Sequence, residues 1–122
     1  MKSNSTLILL AHGSRAEQTL EEMAKLATKL QRSQKGLWVI PAFLSLIEPN
    51  LTQALSLAAA KGATVVQVLP LFLFTGKHML EDIPAQIKAN RALYPNMKLV
   101  LHKPIGKHAS FADFLLKAGG FV

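Results

Sequence analysis

Four stretches of the chain, residues 6–11, 38–44, 64–74 and 98–102, are dominated by apolar side chains. Their centres recur about every 30 residues, the length of one strand–helix unit. The first and third are near-continuous Leu, Ile and Val, as in parallel strands covered on both faces. Helical spacing fills the gaps. Ser14-Arg15-Ala16-Glu17 has the form of a capping box, and Leu20, Met23, Ala27 and Leu30 then keep one face to about residue 34. Asn50-Leu51-Thr52-Gln53 predicts a second capped start, with Leu51, Leu55 and Ala58 on one face and Gly62 as the stop. Pro84 suits the first turn of a third helix, with Ile83, Ile87 and Leu93 facing inward and Tyr94-Pro95 ending it. Ser110 opens a last helix, backed by Phe114, Leu115 and Ala118.

Strand and helix thus alternate four times, which predicts an α/β fold: an open four-stranded parallel sheet with helices on both faces. Right-handed crossovers leave few topologies, and we expect the flavodoxin-like strand order 2-1-3-4. At 122 residues the chain is one domain, residues 1–122. A small sheet with two open edges favours self-association.

In such sheets ligands bind beyond the carboxyl ends of the strands, where strand order reverses. His12 directly follows the first strand, and His78 lies just beyond the third. Adjacent strands are only about 4.8 Å apart, so the two imidazoles could meet at one metal ion. Ser45 and Glu48 end the second strand nearby. A single histidine at a strand end is ordinarily a hydrogen-bonded structural residue; two on one rim point to a shared site. His102 and His108 lack a partner pattern and read as structural. Arg15 and Lys77 flank the pair. With the free N–H groups of the first helix they would favour an anion, and ordinary surface charge explains them equally well. Ser14 reads as a helix cap rather than a nucleophile. Neither a dinucleotide fingerprint nor a Walker lysine motif occurs.

Composition narrows the chemistry. There is no cysteine, which excludes disulfides, thiolate metal sites and a thiol nucleophile. Fourteen Lys and Arg against seven Asp and Glu give a net charge of +7. Such a surface attracts anions. The basic residues form no run and the aromatics sit inside apolar segments, so a small polyanionic ligand is expected rather than nucleic acid. The apolar run after the N-terminus is too short for a signal-peptide core, and no stretch reaches the roughly 20 residues of a membrane span. A soluble, cytoplasmic protein with no membrane contact is expected.

At these residues the sequence resembles a known family. Leu9-Leu10-Ala11-His12-Gly13-Ser14-Arg15 is similar to the opening motif of the small sirohydrochlorin chelatases, the short form of the cobaltochelatase of cobalamin synthesis. Leu69-Pro70-Leu71-Phe72-Leu73, Gly76, His78 and Asp82-Ile83-Pro84 resemble that family's second motif. Ala42-Phe43-Leu44 with Glu48-Pro49, and Lys103-Pro104-Ile105-Gly106, resemble two more. The four together, in the family's order, span almost the whole chain.

The resemblance implies a class II metal chelatase, a lyase that inserts Co²⁺ into sirohydrochlorin without ATP and without a cofactor beyond the substrate metal. It implies a parallel-sheet fold and a homodimer, since larger relatives contain two such halves facing across a cleft. The family's metal-binding histidines fall on His12 and His78. The family usually has Phe-Leu-Glu where this chain reads Phe43-Leu44-Ser45, and Glu48 matches a second acidic position. Fe²⁺ and Ni²⁺ differ little from Co²⁺ in their liking for imidazole, so a ferrochelatase or nickel chelatase stands beside the first reading. With Ser45 in place of the glutamate, so does a noncatalytic tetrapyrrole or metal carrier. A neutral imidazole can also accept a pyrrole proton near pH 7. Arg15 and Lys77, with Ser45 and Glu48, are the expected substrate-binding residues.

Overall fold

The computed structural model describes residues 5–74 and 76–122, without the side chains of residues 78–80. The strands are β1 (Ser5–Ala11), β2 (Leu37–Phe43), β3 (Val65–Pro70) and β4 (Lys98–Leu101). The helices are α1 (Glu17–Ser33), α2 (Leu51–Ala60), α3 (Lys77–Leu93) and α4 (Ala109–Ala118), and a short 3₁₀ turn, Ile105–Lys107, lies between β4 and α4. All strand pairs are parallel and the order is β2-β1-β3-β4, as expected.

Alternation along the strands sorts the core into two layers. Ile8, Leu10, Ile40, Ala42, Val66, Val68 and Leu99 pack with Leu51, Ala54, Leu55 and Ala58 of α2 and Ile83 and Ile87 of α3. On the opposite face Leu9, Val39 and Phe43 pack with Met23 and Ala27 of α1. Asn50 caps α2 through the expected reciprocal box: its Oδ1 accepts from the Gln53 N–H, and Gln53 Oε1 accepts from the Asn50 N–H, both at 2.8 Å.

Four expectations change. The third strand stops at Pro70, short of residue 74, because proline has no N–H for the ladder. One further rung, Leu71 N–H to Leu10 O at 2.8 Å, closes the pairing before the chain turns away. The first helix starts at Glu17 with Ala16 as its N-cap. Ser14 Oγ accepts from the N–H of Ala16, two residues on, so it makes a local turn instead of capping the helix. The third helix begins at Lys77, which places Pro84 inside it. Pro84 costs α3 one hydrogen bond, while burial of Ile83 and Ile87 on either side keeps the helix on the sheet. Leu93, expected inside, is 64% exposed, one residue before the chain leaves the helix. Among the described residues, α4 buries none of its own.

Candidate functional site

The carboxyl ends of the four strands form one rim, and backbone contacts knit it together. The N–H of Leu44 donates to Ala11 O at 2.9 Å and that of Ser45 to His12 O at 3.1 Å, carrying the β1–β2 pairing past both strands. Gly13 has φ +111°, and a Cβ there would lie 1.9 Å from the carbonyl oxygen of Ser45. Only glycine lets the two loops approach this closely. Across the sheet, the Gly106 N–H donates to Phe72 O at 3.1 Å. A Cβ on Gly106 would lie 2.0 Å from Leu73 O. Gly13 therefore fixes the β1 and β2 loops together, and Gly106 fixes the β4 loop to the β3 loop.

His12 sits on this frame, exposed, at the reversal of strand order. Its ring lies edge-on to Phe72, with centroids 5.4 Å apart and planes at 66°. Phe72 is itself buried in the core, so the β3 exit orients the β1 histidine. Sequence reading missed Phe72 because its apolar run reads as one continuous strand.

Ser45 reaches the expected place beside His12, but its hydroxyl turns to the His12 carbonyl oxygen, at 3.5 Å, not to the ring. Glu48 Oε2 accepts from Gln53 Nε2 at 2.9 Å, which ties the carboxylate to the start of α2. Arg15 is exposed and precedes α1 by one turn residue, Ala16. Lys77 is exposed at the first position of α3. His78 follows it in the helix; its side chain lies outside the described residues, and so does its pairing with His12. Among the described residues no three His, Asp or Glu gather into a metal-binding group. His102 and His108 have the structural roles expected of them. His102 Nε2 bonds Gln67 Oε1 at 2.6 Å, and His108 Nε2 donates to the Lys103 carbonyl at 2.9 Å. Among the described residues no helix is long and apolar enough to cross a membrane.

The rim is also apolar. Leu46, Leu73 and Phe74 are 62%, 48% and 90% exposed. Leu46 holds φ +73°, a left-handed conformation that costs a non-glycine residue roughly 1–2 kcal/mol. Strain of this kind concentrates at functional loops. Charge alone in the sequence does not reveal this surface, since exposed and buried apolar residues look alike there.

The CbiX family model matches residues 6–118. The chloroplastic sirohydrochlorin ferrochelatase of Arabidopsis thaliana is 32% identical over 111 residues, 88% of this chain and 48% of that protein. The sirohydrochlorin cobaltochelatase of Sulfolobus acidocaldarius is 31% identical over 111 residues, 89% of this chain and 85% of that one. The crystal structure of a CbiX protein from Marinobacter aquaeolei VT8 superposes with a TM-score of 0.78 at 31% identity, covering 94% of this chain and 93% of the other. The chain spans half or less of the length of several of the curated relatives it matches, between 36% and 48%. By the match over residues 6–118 and the shared fold, this chain belongs to the CbiX family.

Proposed function

We propose that the chain is a sirohydrochlorin chelatase, an enzyme that inserts a divalent metal into the macrocycle without ATP, with Co²⁺ as the first reading. The observation that carries this is His12 on the rim where strand order reverses, in a chain of the CbiX family. His12 and His78 hold the incoming ion through imidazole nitrogen. Two histidine ligands leave most coordination positions open, so the metal can exchange bound water for pyrrole nitrogens and leave the protein. The two pyrrole N–H protons go to base, one of them to an imidazole. The metal is substrate, and no resident cofactor is needed. Fe²⁺ or Ni²⁺ satisfies the same donors. Arg15 and Lys77 bind the carboxylates of the macrocycle at its edge, and Leu46, Leu73 and Phe74 meet its face.

A rim on one sheet offers one wall to a flat ring. A second copy supplies the other, making a cytoplasmic homodimer in the cobalamin route, with neither nucleic acid nor membrane as partner. Ser45 favours a second reading: a carrier that binds tetrapyrrole or metal and stops, its family glutamate gone. Sirohydrochlorin in excess with Co²⁺, Fe²⁺ or Ni²⁺ in turn decides between them by the absorbance of the ring. Many turnovers per chain are expected with at least one metal. One equivalent and no more identifies the carrier, and no change with any metal refutes the chelatase.

A further inference from the structure

A histidine that ligates a metal is ordinarily held by a hydrogen bond from its second ring nitrogen to a carboxylate or a carbonyl. That bond fixes the ring and makes it a stronger donor. His102 and His108 have partners of this kind, the side-chain carbonyl of Gln67 and the backbone carbonyl of Lys103. His12 does not. Among the described residues its backbone carbonyl accepts from the N–H and the hydroxyl of Ser45, and its ring makes no hydrogen bond. Left to itself, such an exposed imidazole would turn freely about its side-chain bonds. What stands against it is the ring of Phe72, with centroids 5.4 Å apart and planes at 66°.

The Phe72 ring is itself fixed. It is buried in the core layer that contains Leu10, Ala42 and Ile83. The backbone around it is tied on two sides. The N–H of Leu71 donates to Leu10 O at 2.8 Å, and the carbonyl of Phe72 accepts from the Gly106 N–H at 3.1 Å. Strand β1 and the exit of β4 therefore both set where the ring lies. Edge-to-face ring pairs, with centroids roughly 4.5–7 Å apart, take their geometry from the ring quadrupole. The contact is thus directional as well as space-filling.

We propose that Phe72 is the positioning residue of the metal site: its buried ring takes the place of the usual hydrogen-bonded partner, orients the His12 imidazole and leaves both ring nitrogens uncommitted. That His12 meets a metal at all rests on the chelatase reading. Phe72 touches neither the ion nor the macrocycle and acts only through His12. An imidazole oriented in this way gains geometry without gaining donor strength. It presents the ion in place but does not hold it tightly, which suits a metal that must pass on to pyrrole nitrogens.

Proton NMR, Co²⁺ titration and steady-state insertion on the intact chain test this. In the wild type, nuclear Overhauser contacts are expected between the His12 and Phe72 rings. Phe72→Leu keeps an apolar side chain and removes the ring. The ion must then immobilise a free imidazole, so Co²⁺ binding should weaken about twofold to tenfold. With His12 out of line, kcat for insertion should fall about tenfold or more. KM for sirohydrochlorin should not change, because Phe72 is buried away from the macrocycle. Ile87→Val is the control: it trims the same core layer and should leave Co²⁺ affinity at the wild-type value. Phe72→Leu with wild-type Co²⁺ affinity overturns the inference. So does a raised KM with unchanged kcat, which puts Phe72 on the macrocycle, and so does an equal loss of affinity in Ile87→Val, which makes the effect a general loosening of the core. Should Phe72→Leu not fold, Phe72→Met, nearer in volume, is read by the same criteria. A folded wild type without the Overhauser contacts overturns the inference whatever the variants do. Failure of the chelatase shows differently: a wild type that binds Co²⁺ and inserts none refutes that reading, while the affinities of the variants still decide the role of Phe72. A wild type that binds no Co²⁺ refutes both.

Discussion

Three glycines separate two costs that are usually measured together. Gly62 has φ +82° and nothing within 4 Å of an added Cβ, so Gly62→Ala introduces the left-handed conformation alone. That penalty is roughly 1–2 kcal/mol. At Gly106 φ lies outside the left-handed range, but the new Cβ would meet Leu73 O at 2.0 Å, Leu73 C at 2.6 Å and Leu73 Cα at 2.7 Å. These are backbone atoms that cannot rotate away, so Gly106→Ala should cost about 1–3 kcal/mol as overpacking. Gly13→Ala combines both: φ +111° and a contact of 1.9 Å that must open to at least 3.0 Å. Its expected cost is the sum, about 2–5 kcal/mol, against a total stability of about 5–15 kcal/mol for a domain. Urea denaturation of the three variants, followed by circular dichroism, measures all three. In thermal melts each kcal/mol should appear as roughly 4 °C. A Gly13→Ala variant no less stable than Gly62→Ala would refute the claim that Gly13 clamps the β1 loop onto Ser45.

His12→Ala should abolish metal insertion while costing less than about 1.5 kcal/mol in stability, the worth of its edge contact with Phe72; near-normal turnover would place the metal elsewhere. Ser45→Glu adds a carboxylate beside His12, and a unit charge about 4 Å from a divalent ion is worth about 2 kcal/mol even in water, so Co²⁺ affinity should rise at least tenfold. An unchanged Co²⁺ titration would mean that position 45 does not face the metal. Asn90 is buried, donates from Nδ2 to Gln86 O at 2.8 Å and Thr52 Oγ1 at 3.3 Å, and leaves Oδ1 without a hydrogen-bond partner among the described residues. Asn90→Leu should therefore stay within about 1 kcal/mol of wild type or exceed it in a urea melt, and a loss above about 3 kcal/mol would show that the amide bond to Thr52 holds α3 to α2.

The sheet was legible because its signal is redundant. Four apolar runs at regular spacing, joined by helical patterns, admit few right-handed arrangements, and the order that put β1 beside β3 is the one found. Caps were legible only where both partners are side chains with one obvious use. Asn50 and Gln53 satisfy each other, whereas Ser14 and Glu17, with the same spacing, do not meet, because Gly13 sends the chain toward Ser45 before α1 can start. Pro84 misled because its commonest helical position is the first turn, and sequence gives no sign that buried isoleucines on both sides will carry a helix through it. Phe72 and Phe74 illustrate the deepest ambiguity. They stand two residues apart in one apolar run, yet one is 5% exposed and the other 90%. Composition fixes how much surface is apolar; only the turn after Pro70 decides which of it faces solvent.

That exposed remainder bears on what the rim can bind. A bare metal ion would need ligands and has no use for Leu46, Leu73 and Phe74. A nucleic acid would ask for a run of basic residues with aromatics between them, which the chain lacks. Arg15, Lys77 and Lys103 are exposed around the same loops that hold the apolar side chains outward. Exposed positive charge and exposed apolar side chains on the same loops suit a ligand that carries both an apolar body and anionic groups. A polycarboxylate tetrapyrrole has that form. Because the β1, β2, β3 and β4 loops are clamped in pairs by Gly13 and Gly106, the surface is set before the ligand arrives, and less binding energy goes into ordering it. Gly106→Ala should then weaken tetrapyrrole binding as well as stability. A variant that loses stability but keeps full affinity for the metal-free macrocycle would show that the β3–β4 side of the rim does not touch it.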